Sequence, residues 1–501
     1  MENKYNINLD AQKKQPLYMQ IAEQIEALIV QGKIKPGKKL LPIRKLATEL
    51  NVNPITVVNA YKHLEEQELA KSKVGSGTYV TYKETPKIRN VEANQSSLLL
   101  EIEYNEYNLI DSGQIRIKPG IINFASAAPS PELFPVAEFK TVLNEVLERD
   151  KGFAFSYQES QGYYPLRESI TKYVADYNIK SSPENIQIIS GAQQGIDIIS
   201  KALIEPGDFI YIEDPSYAGA ISSFTSRGAK LTKIPINPDG IDLNYMESKL
   251  RKQRPKFIYI MPCFQNPTGY LYSPSTRKGI LDLADKYNFL IIEDDHLSDL
   301  SYLHEKVYPL KAEDKDNRVI YIKSFSKIFM PGLRIAFLIA HPKLHSDLIE
   351  AKHSSDISTS GFLQRAFDLY LRKGKMPIHI ESTKKIYKER YDAMCQLLEE
   401  FMPKEIELNP PLGGLNFWIN LPKGYSSSSL YIECLKKDIL FVPGSYFNPS
   451  QTPIPGFRLS FAAISIEEII NGIETLAETT KIFLKNYSGM KTPLPTYIPF
   501  L

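Results

Sequence analysis

From residue 121 onward, short runs of β-branched and aromatic residues alternate with segments long enough to form helices. Strands separated by helices need crossover connections, which favour a parallel sheet with helices on both faces. The sequence therefore predicts an α/β fold with a mainly parallel central sheet, followed from about residue 370 by a smaller α+β portion. The strands predicted for the sheet are 185–190, 208–213, 256–261, 289–293 and 318–322, and those of the smaller portion are 415–419 and 457–461.

The first 81 residues have a different pattern, typical of a small helical unit closed by a hairpin. Apolar residues within 17–28 recur at spacings of three and four, which places them on one helix face. Asn53 is a good N-cap, and Pro54 suits the first position of the next helix because its missing N–H would have no partner there. Residues 71–74 and 78–81 flank a Gly-Ser-Gly turn and predict two short strands.

Charge distinguishes this N-terminal segment from the rest of the chain. Residues 1–80 contain 12 Lys and Arg against 8 Asp and Glu, whereas the whole chain has a formal net charge of only +2. Six cations lie between residues 33 and 45 with no acid among them. Phosphate backbones attract such clusters, although a solvated basic face would look the same. Combined with the helices and the hairpin, the basic run favours a DNA-reading module over a structural helical bundle.

Residues 15–80 resemble the GntR family of winged helix-turn-helix regulators. The strings that carry the resemblance are Pro16-Leu17-Tyr18, the run KIKPGKKLLP at 33–42, Leu46-Ala47, 53–57 and 75–80. The resemblance implies that the third helix enters the major groove of DNA by its N-terminal residues and that the wing lies along the backbone. By position, the residues implied to face DNA are Arg44, Lys45, Asn53, Pro54, Ile55 and Thr56, with Lys73, Gly75, Ser76 and Gly77 in the wing. Many family members carry arginine where this chain has Pro54.

Four strings at or just beyond predicted strand ends bring together an unusual set of polar groups. They are Ser190-Gly191-Ala192-Gln193-Gln194-Gly195, Asn266-Pro267-Thr268-Gly269, Glu293-Asp294-Asp295 and Ser324-Phe325-Ser326-Lys327, with Arg334 seven residues later. Alone, each string has an ordinary explanation as a turn, a surface acid pair or a solvated lysine. Together they offer an amine for an imine, an acid for a pyridine nitrogen and a helix N-terminus for a phosphate. The set therefore predicts a site for pyridoxal 5'-phosphate (PLP).

These strings resemble those of fold type I aminotransferases, and with its GntR-like head the whole chain resembles the MocR-type regulators. The roles that the resemblance implies are the internal aldimine for Lys327, the pyridinium partner for Asp294, the ring-hydroxyl partner for Asn266 and the stacking ring for Tyr217. The same resemblance implies that Tyr157 reaches the partner subunit's site. The residues that it implies for binding the phosphate are Gly191, Ala192, Gln193, Ser324, Ser326 and Arg334.

Substrate binding is implied at two further positions. Arg458 matches the arginine that clamps a substrate carboxylate with two hydrogen bonds. Ala127 stands where the family commonly has a glycine that approaches the substrate, so we expect a narrower pocket. His296 follows the acid pair where related regulators often carry tyrosine.

Three hypotheses of function follow. In the preferred one, the chain is a homodimeric transcription regulator that binds a double-stranded DNA operator and senses an amino compound through aldimine exchange at Lys327. The second is a working aminotransferase that transfers an amino group between an amino acid and a 2-oxo acid. The third is a scaffold without cofactor.

The predicted organisation is a DNA-binding domain at 1–81, a polar linker at 82–120 and a PLP-binding domain at 121–501. The polar N-terminus and the absence of an apolar run of about 18 residues predict a cytoplasmic protein without a membrane segment. Three widely spaced cysteines argue against a disulfide framework and against a metal cluster.

Overall fold

A computed structural model describes residues 5, 7–10, 15–30, 33–35, 37–66, 69–73, 77–81, 120–448, 450 and 454–486. The chain divides into two units, residues 1–109 and 110–501. Nearly all of the predicted linker lies outside the described residues, and so do Gly75 and Ser76 of the predicted wing.

The N-terminal unit consists of three helices and a hairpin: α1 (Leu17–Val30), α2 (Ile43–Glu49), α3 (Pro54–Glu66), β1 (Ala70–Lys73) and β2 (Gly77–Val80). The three helices bury their apolar faces in one core, where Ile21, Leu46 and Val57 are fully buried. The predicted N-cap is confirmed, because the side-chain oxygen of Asn53 accepts the N–H of Ile55 at 2.9 Å.

The C-terminal unit is built on an eight-stranded sheet. After β3 (Ile122–Asn123), its strands are β4 (Ile186–Ile189), β5 (Phe209–Asp214), β6 (Lys230–Asn237), β7 (Gly240–Ile241), β8 (Phe257–Ile260), β9 (Leu290–Asp295), β10 (Val319–Ser324) and β11 (Ala336–Ile339). Their spatial order is β4-β11-β10-β9-β8-β5-β6-β7. β7 and β11 run antiparallel to the other six strands, which share one direction, so the prediction of a mainly parallel sheet is confirmed.

Helices cover both faces of this sheet, and others pack against the smaller portion of the unit. The helices of the unit are α4 (Val136–Asp150), α5 (Tyr164–Ala175), α6 (Ala192–Leu203), α7 (Ala218–Ser226), α8 (Leu243–Leu250), α9 (Pro274–Tyr287), α10 (His345–His353), α11 (Gly361–Arg372), α12 (Lys375–Phe401), α13 (Ser427–Leu435) and α14 (Ile466–Asn486). Successive side chains of a strand point to opposite faces. Accordingly, Tyr259 of β8 packs in the core that contains α6 and α7, whereas Ile258 and Ile260 pack in the core that contains α8 and α9.

A smaller antiparallel sheet forms the predicted α+β portion. It contains β12 (Glu407–Leu408), β13 (Asn416–Asn420), β15 (Val442–Pro443) and β16 (Gly456–Ser460), in the order β12-β13-β16-β15. β14 (Ile439–Leu440) pairs with β3, which ties the start of the unit to this portion. Among the helices that the structure describes, none combines the length and the apolar character that crossing a membrane requires.

Candidate functional site

The predicted site residues of the C-terminal unit come together around one cavity of about 180 Å³. Its walls are formed by Ala127, Ala192, Gln193, Tyr217, Met261, Asn266, Asp294, His296, Ser324, Ser326, Lys327, Arg334 and Arg458. Most of them follow the carboxyl ends of parallel strands, where crossover folds place their ligands. Gly191 and Tyr157 are the predicted residues that do not line the cavity.

Asp294 lines the cavity with one oxygen available. Its Oδ2 accepts a hydrogen bond from the buried Tyr259 hydroxyl at 2.6 Å. Its Oδ1 is buried and has no hydrogen-bond partner among the described residues. Burial raises the pKa of this carboxyl to about 6. A buried acceptor without a partner is costly, so Oδ1 is suited to a ligand that carries a proton, such as a pyridinium nitrogen.

Lys327 follows β10 by a short turn in which the N–H of Ser326 donates to the Ser324 hydroxyl at 3.2 Å. Desolvation within the cavity, followed by the charges of Arg458 and Arg334, lowers the pKa of the Lys327 amine to about 8. A neutral amine is a nucleophile, and this one is populated far more at neutral pH than that of a solvated lysine.

The N-terminus of α6 offers backbone N–H groups that could bind an anion. This helix end has no side-chain cap, so the first-turn N–H groups of Ala192 and Gln193 are available to a ligand. Arg334 extends over the same turn and donates to the carbonyl of Ser190 at 2.8 Å. Glycine is favoured at position 191, because its φ of 102° is disfavoured for residues with a side chain and a Cβ would displace the Arg334 guanidinium. The hydroxyls of Ser324 and Ser326 border the same cavity.

Arg458 is held rigidly in the wall of the cavity. Its Nη1 donates to Asn266 Oδ1 at 2.9 Å and its Nη2 donates to the carbonyl of Ala125 at 2.7 Å. The Nε is buried and has no partner among the described residues. Burial lowers the pKa of the guanidinium to about 10, so Arg458 stays protonated at neutral pH.

Two residues of this site, Met261 and Tyr259, have no signal in the sequence patterns. Met261 lines the cavity, and Tyr259 orients Asp294 from the neighbouring strand. His296 also lines the cavity, where burial lowers its pKa to about 3 and keeps the imidazole neutral. Tyr157 is 83% exposed and lies outside the cavity of its own chain.

The predicted DNA-facing residues at 44–45 and 53–56 lie at the surface of the N-terminal unit. Arg44 and Lys45 are exposed on α2. At the start of α3, Asn53, Pro54 and Ile55 are exposed, and Thr56 is half-buried. Lys73 pairs with Gly77 across the hairpin.

Comparison with known proteins assigns both units to families. Residues 119–476 match the family described as aminotransferase class I and II. The chain belongs to that family. Residues 17–80 match the gntR family of bacterial regulatory proteins, so this aminotransferase-family chain is a fusion with a GntR-type head.

Relatives of the chain fall into two groups. Aromatic-amino-acid aminotransferase 1 of Thermococcus litoralis is 36% identical over 73% of this chain and 89% of its own length. The uncharacterized HTH-type transcriptional regulator YdfD of Bacillus subtilis is 31% identical over 93% of this chain and 96% of its own length. A probable rhizopine catabolism regulatory protein, MocR of Rhizobium meliloti, is 25% identical over 93% of this chain and 94% of its own. The chain therefore has the MocR-type arrangement of modules.

A solved structure of this family connects the fold to its cofactor. The α-aminoadipate aminotransferase LysN of Thermus thermophilus, complexed with N-(5'-phosphopyridoxyl)-L-leucine, superposes with a TM-score of 0.69 and 33% identity. The match covers 76% of this chain and 99% of LysN. Aminotransferases of class I and II depend on PLP, which is the cofactor of the large unit. The free oxygen of Asp294 and the uncapped anion site at α6 fit this group.

Proposed function

We propose that the chain is a PLP-dependent transcription regulator. Its head binds a double-stranded DNA operator, and its large unit binds an amino compound at Lys327. The proposal rests on two features that occur in one chain. The start of α3 is exposed and follows a basic run in the sequence. The cavity of the large unit brings together the amine of Lys327, the buried acid Asp294 and Arg458. The domains are proposed at 1–81 and 121–501, with 82–120 as the linker, and the protein acts in the cytoplasm.

The cavity supports a division of tasks among the residues of this chain. When bound, PLP supplies an aldehyde that condenses with amines and a ring that withdraws electrons from the neighbouring carbon. Lys327 offers the amine that an incoming amino compound displaces. Asp294 Oδ1 holds the proton of the ring nitrogen, and the start of α6 with Arg334, Ser324 and Ser326 holds the phosphate.

The effector is proposed to be an amino acid. Arg458 has a buried Nε without a partner among the described residues, and its other nitrogens are fixed by Asn266 and by a backbone carbonyl. A carboxylate is the ligand whose geometry and charge match such a guanidinium. Tyr217 is proposed to stack on the cofactor ring, and Ala127 to narrow the space for the side chain of the effector.

We propose that two copies of the chain assemble. Phe153, Phe155 and Tyr157 lie close together in sequence and are 77%, 68% and 83% exposed. Exposed aromatic patches of this kind mark protein interfaces. A second copy would cover this patch, and Tyr157 of each copy would reach the cavity of the other copy. Two heads in one dimer require a repeated or palindromic operator.

The test uses the full chain loaded with PLP and DNA fragments from upstream of its own gene. We expect fluorescence anisotropy to detect binding to one fragment, and an amino acid from a panel to change the dissociation constant by about fivefold or more, in line with the usual coupling of about 1 kcal/mol or above. Lys327→Ala should still bind DNA without responding to any amino acid. Absence of binding to every fragment, with and without PLP, would contradict the proposal.

An aminotransferase is the second candidate function. It is favoured by the retention of Lys327, Asp294 and Arg458 around one cavity. Steady conversion of an amino acid and a 2-oxo acid that is lost in Lys327→Ala would support it. A change in the visible spectrum of the bound cofactor without formation of product would count against it.

A further inference from the structure

The surface of α3 opposite the core combines apolar and polar side chains. The buried residues of this helix, which define its inner face, are Val57, Ala60, Tyr61 and Leu64. Positions 55, 58, 59 and 62 are spaced by three and four and lie on the opposite face. There Ile55 is 61% exposed and Val58 is 38% exposed. Asn59 and Lys62 are exposed beside them.

The first turn of α3 has little capacity to read bases by hydrogen bonds. Pro54 has no polar side-chain group, and it also lacks a backbone N–H. The Oδ1 atom of Asn53 already accepts the N–H of Ile55 at 2.9 Å. Thr56, the remaining polar side chain of the turn, is half-buried, so the exposed side chains of Pro54 and Ile55 offer mainly apolar contact to a partner.

The partner that fits this face is the major groove of duplex DNA. Exposed cations lie on the same face of α3 at Lys62 and on α2, which packs against α3, at Arg44 and Lys45. An apolar protein surface would leave these charges unpaired. The major groove, by contrast, presents phosphates at its edges and the 5-methyl groups of thymine on its floor.

We infer that Ile55 and Val58 recognise thymine by its 5-methyl group. The inference rests on the proposed DNA binding and names the chemistry by which α3 selects its site. Asn59, one turn along the helix from Ile55, carries the donor and acceptor pair that matches adenine. The operator half-site accordingly contains thymine at the positions below Ile55 and Val58, with an adenine next to them.

The test begins with the full chain and a randomised duplex library, from which bound sequences are selected and sequenced. In the best duplex, each thymine is then replaced singly by deoxyuridine, which lacks the methyl group but keeps the same hydrogen-bonding edge. Removing a methyl that is buried on binding should weaken the wild-type complex about fourfold. Ile55→Ala or Val58→Ala should abolish the effect at one thymine each, because the methyl then has no partner.

Two controls separate this effect from general loss of binding. Ile482→Ala removes an isoleucine that is 53% exposed in the other unit and should keep the full deoxyuridine effect. Ile55→Val retains part of the apolar contact and should keep part of the effect.

The possible failures are distinguishable. If the library yields a preferred sequence but deoxyuridine changes affinity at no position, or if Ile55→Ala and Val58→Ala both retain every deoxyuridine effect, thymine recognition is wrong while DNA binding stands. If no sequence is selected over random duplex, the proposed function itself fails and the inference falls with it.

Discussion

Asp294 and Asp295 are adjacent in β9 and point to opposite environments. Asp294 lines the cavity with an oxygen that no described residue contacts. Asp295 Oδ2 lies 3.2 Å from Lys323 Nζ and accepts the hydroxyl of Tyr321 at 2.7 Å. The alternation of side chains along a strand explains the divergence. One acid is thereby available to a cofactor, while the other neutralises a buried lysine.

We expect asparagine at position 294 to weaken cofactor binding and asparagine at position 295 to weaken the fold. Asp294→Asn should weaken PLP binding by more than about tenfold, since it removes a charge-assisted hydrogen bond, without lowering the stability of the apoprotein. Asp295→Asn should destabilise the fold by about 3 kcal/mol, because the buried amine of Lys323 loses one of its acids. Titration with PLP and denaturant unfolding measure the two effects. Equal behaviour of the two variants would contradict this assignment.

The elevated pKa of Asp294 also predicts how apoprotein stability depends on pH. The folded-state value of about 6 exceeds the ordinary value of 3.8, so folding is disfavoured wherever the unfolded chain has this acid ionised. The buried carboxyl therefore does not lower the free energy of unfolding below about pH 4. The loss of stability grows as the pH rises to about 6 and is constant above that. At pH 8, Asp294→Asn apoprotein should be more stable than wild type by about 1–3 kcal/mol. A difference that does not change between pH 8 and pH 4 would disprove this account.

The sequence patterns predicted the sheet only in part. All five predicted strands are present, with ends shifted by one or two residues, but β6, the two-residue β7 and β11 were not predicted. β6 carries Lys230, Lys233 and Pro235 and is half-exposed along most of its length, so it shows neither alternation nor a continuous apolar run. β11 lies in a short apolar run that fits a buried helix equally well.

Within the candidate site, the sequence predicted the residues that belong to the four short strings at 190–195, 266–269, 293–295 and 324–327. The choice of Asp294 over Asp295 came from family resemblance, because both acids look alike in the local sequence. Tyr259 was missed since its role depends on the pairing of β8 with β9, where it stands opposite Ile292. Pairing between distant segments has no local signature, so a side chain that acts on another strand is not predictable from one sequence.

The lowered pKa of Lys327 predicts a pH-dependent uptake of cofactor. Only the neutral amine attacks the aldehyde, and its fraction rises as the pH approaches about 8. The rate of PLP uptake by the apoprotein should therefore rise about tenfold per pH unit below this value and level off above it. Stopped-flow absorbance measures the rate, and Lys327→Ala serves as the control without a covalent signal. A rate that keeps rising to pH 10 would mean that the amine has the pKa of a solvated lysine.

Gly191 offers a test of the phosphate site that leaves the reacting groups untouched. Its φ of 102° is disfavoured for residues with a side chain, and a Cβ would displace the Arg334 guanidinium. Gly191→Ala should therefore weaken PLP binding more than about tenfold, because the phosphate loses one charge-assisted contact and the geometry of the helix end changes. Pyridoxal, which lacks the phosphate, should bind wild type and variant equally in the same titration. As a comparison, Gly207→Ala has a similar φ of 96° and open space around it, and should spare PLP binding.

We expect Arg458 to contribute to the binding of amino acids but not to the binding of amines that lack a carboxylate. Lysine cannot keep both contacts, to Asn266 and to the Ala125 carbonyl, and still present a buried N–H to a ligand. In Arg458→Lys, the concentration of an amino acid needed for half of the spectral change should rise about tenfold or more, whereas that of the matching decarboxylated amine should stay constant. Because the pKa of Arg458 is about 10, the ratio between the two ligands should not vary between pH 7 and pH 8.5. A parallel loss for both ligands would mean that Arg458 supports the shape of the cavity through Asn266 instead of binding the carboxylate.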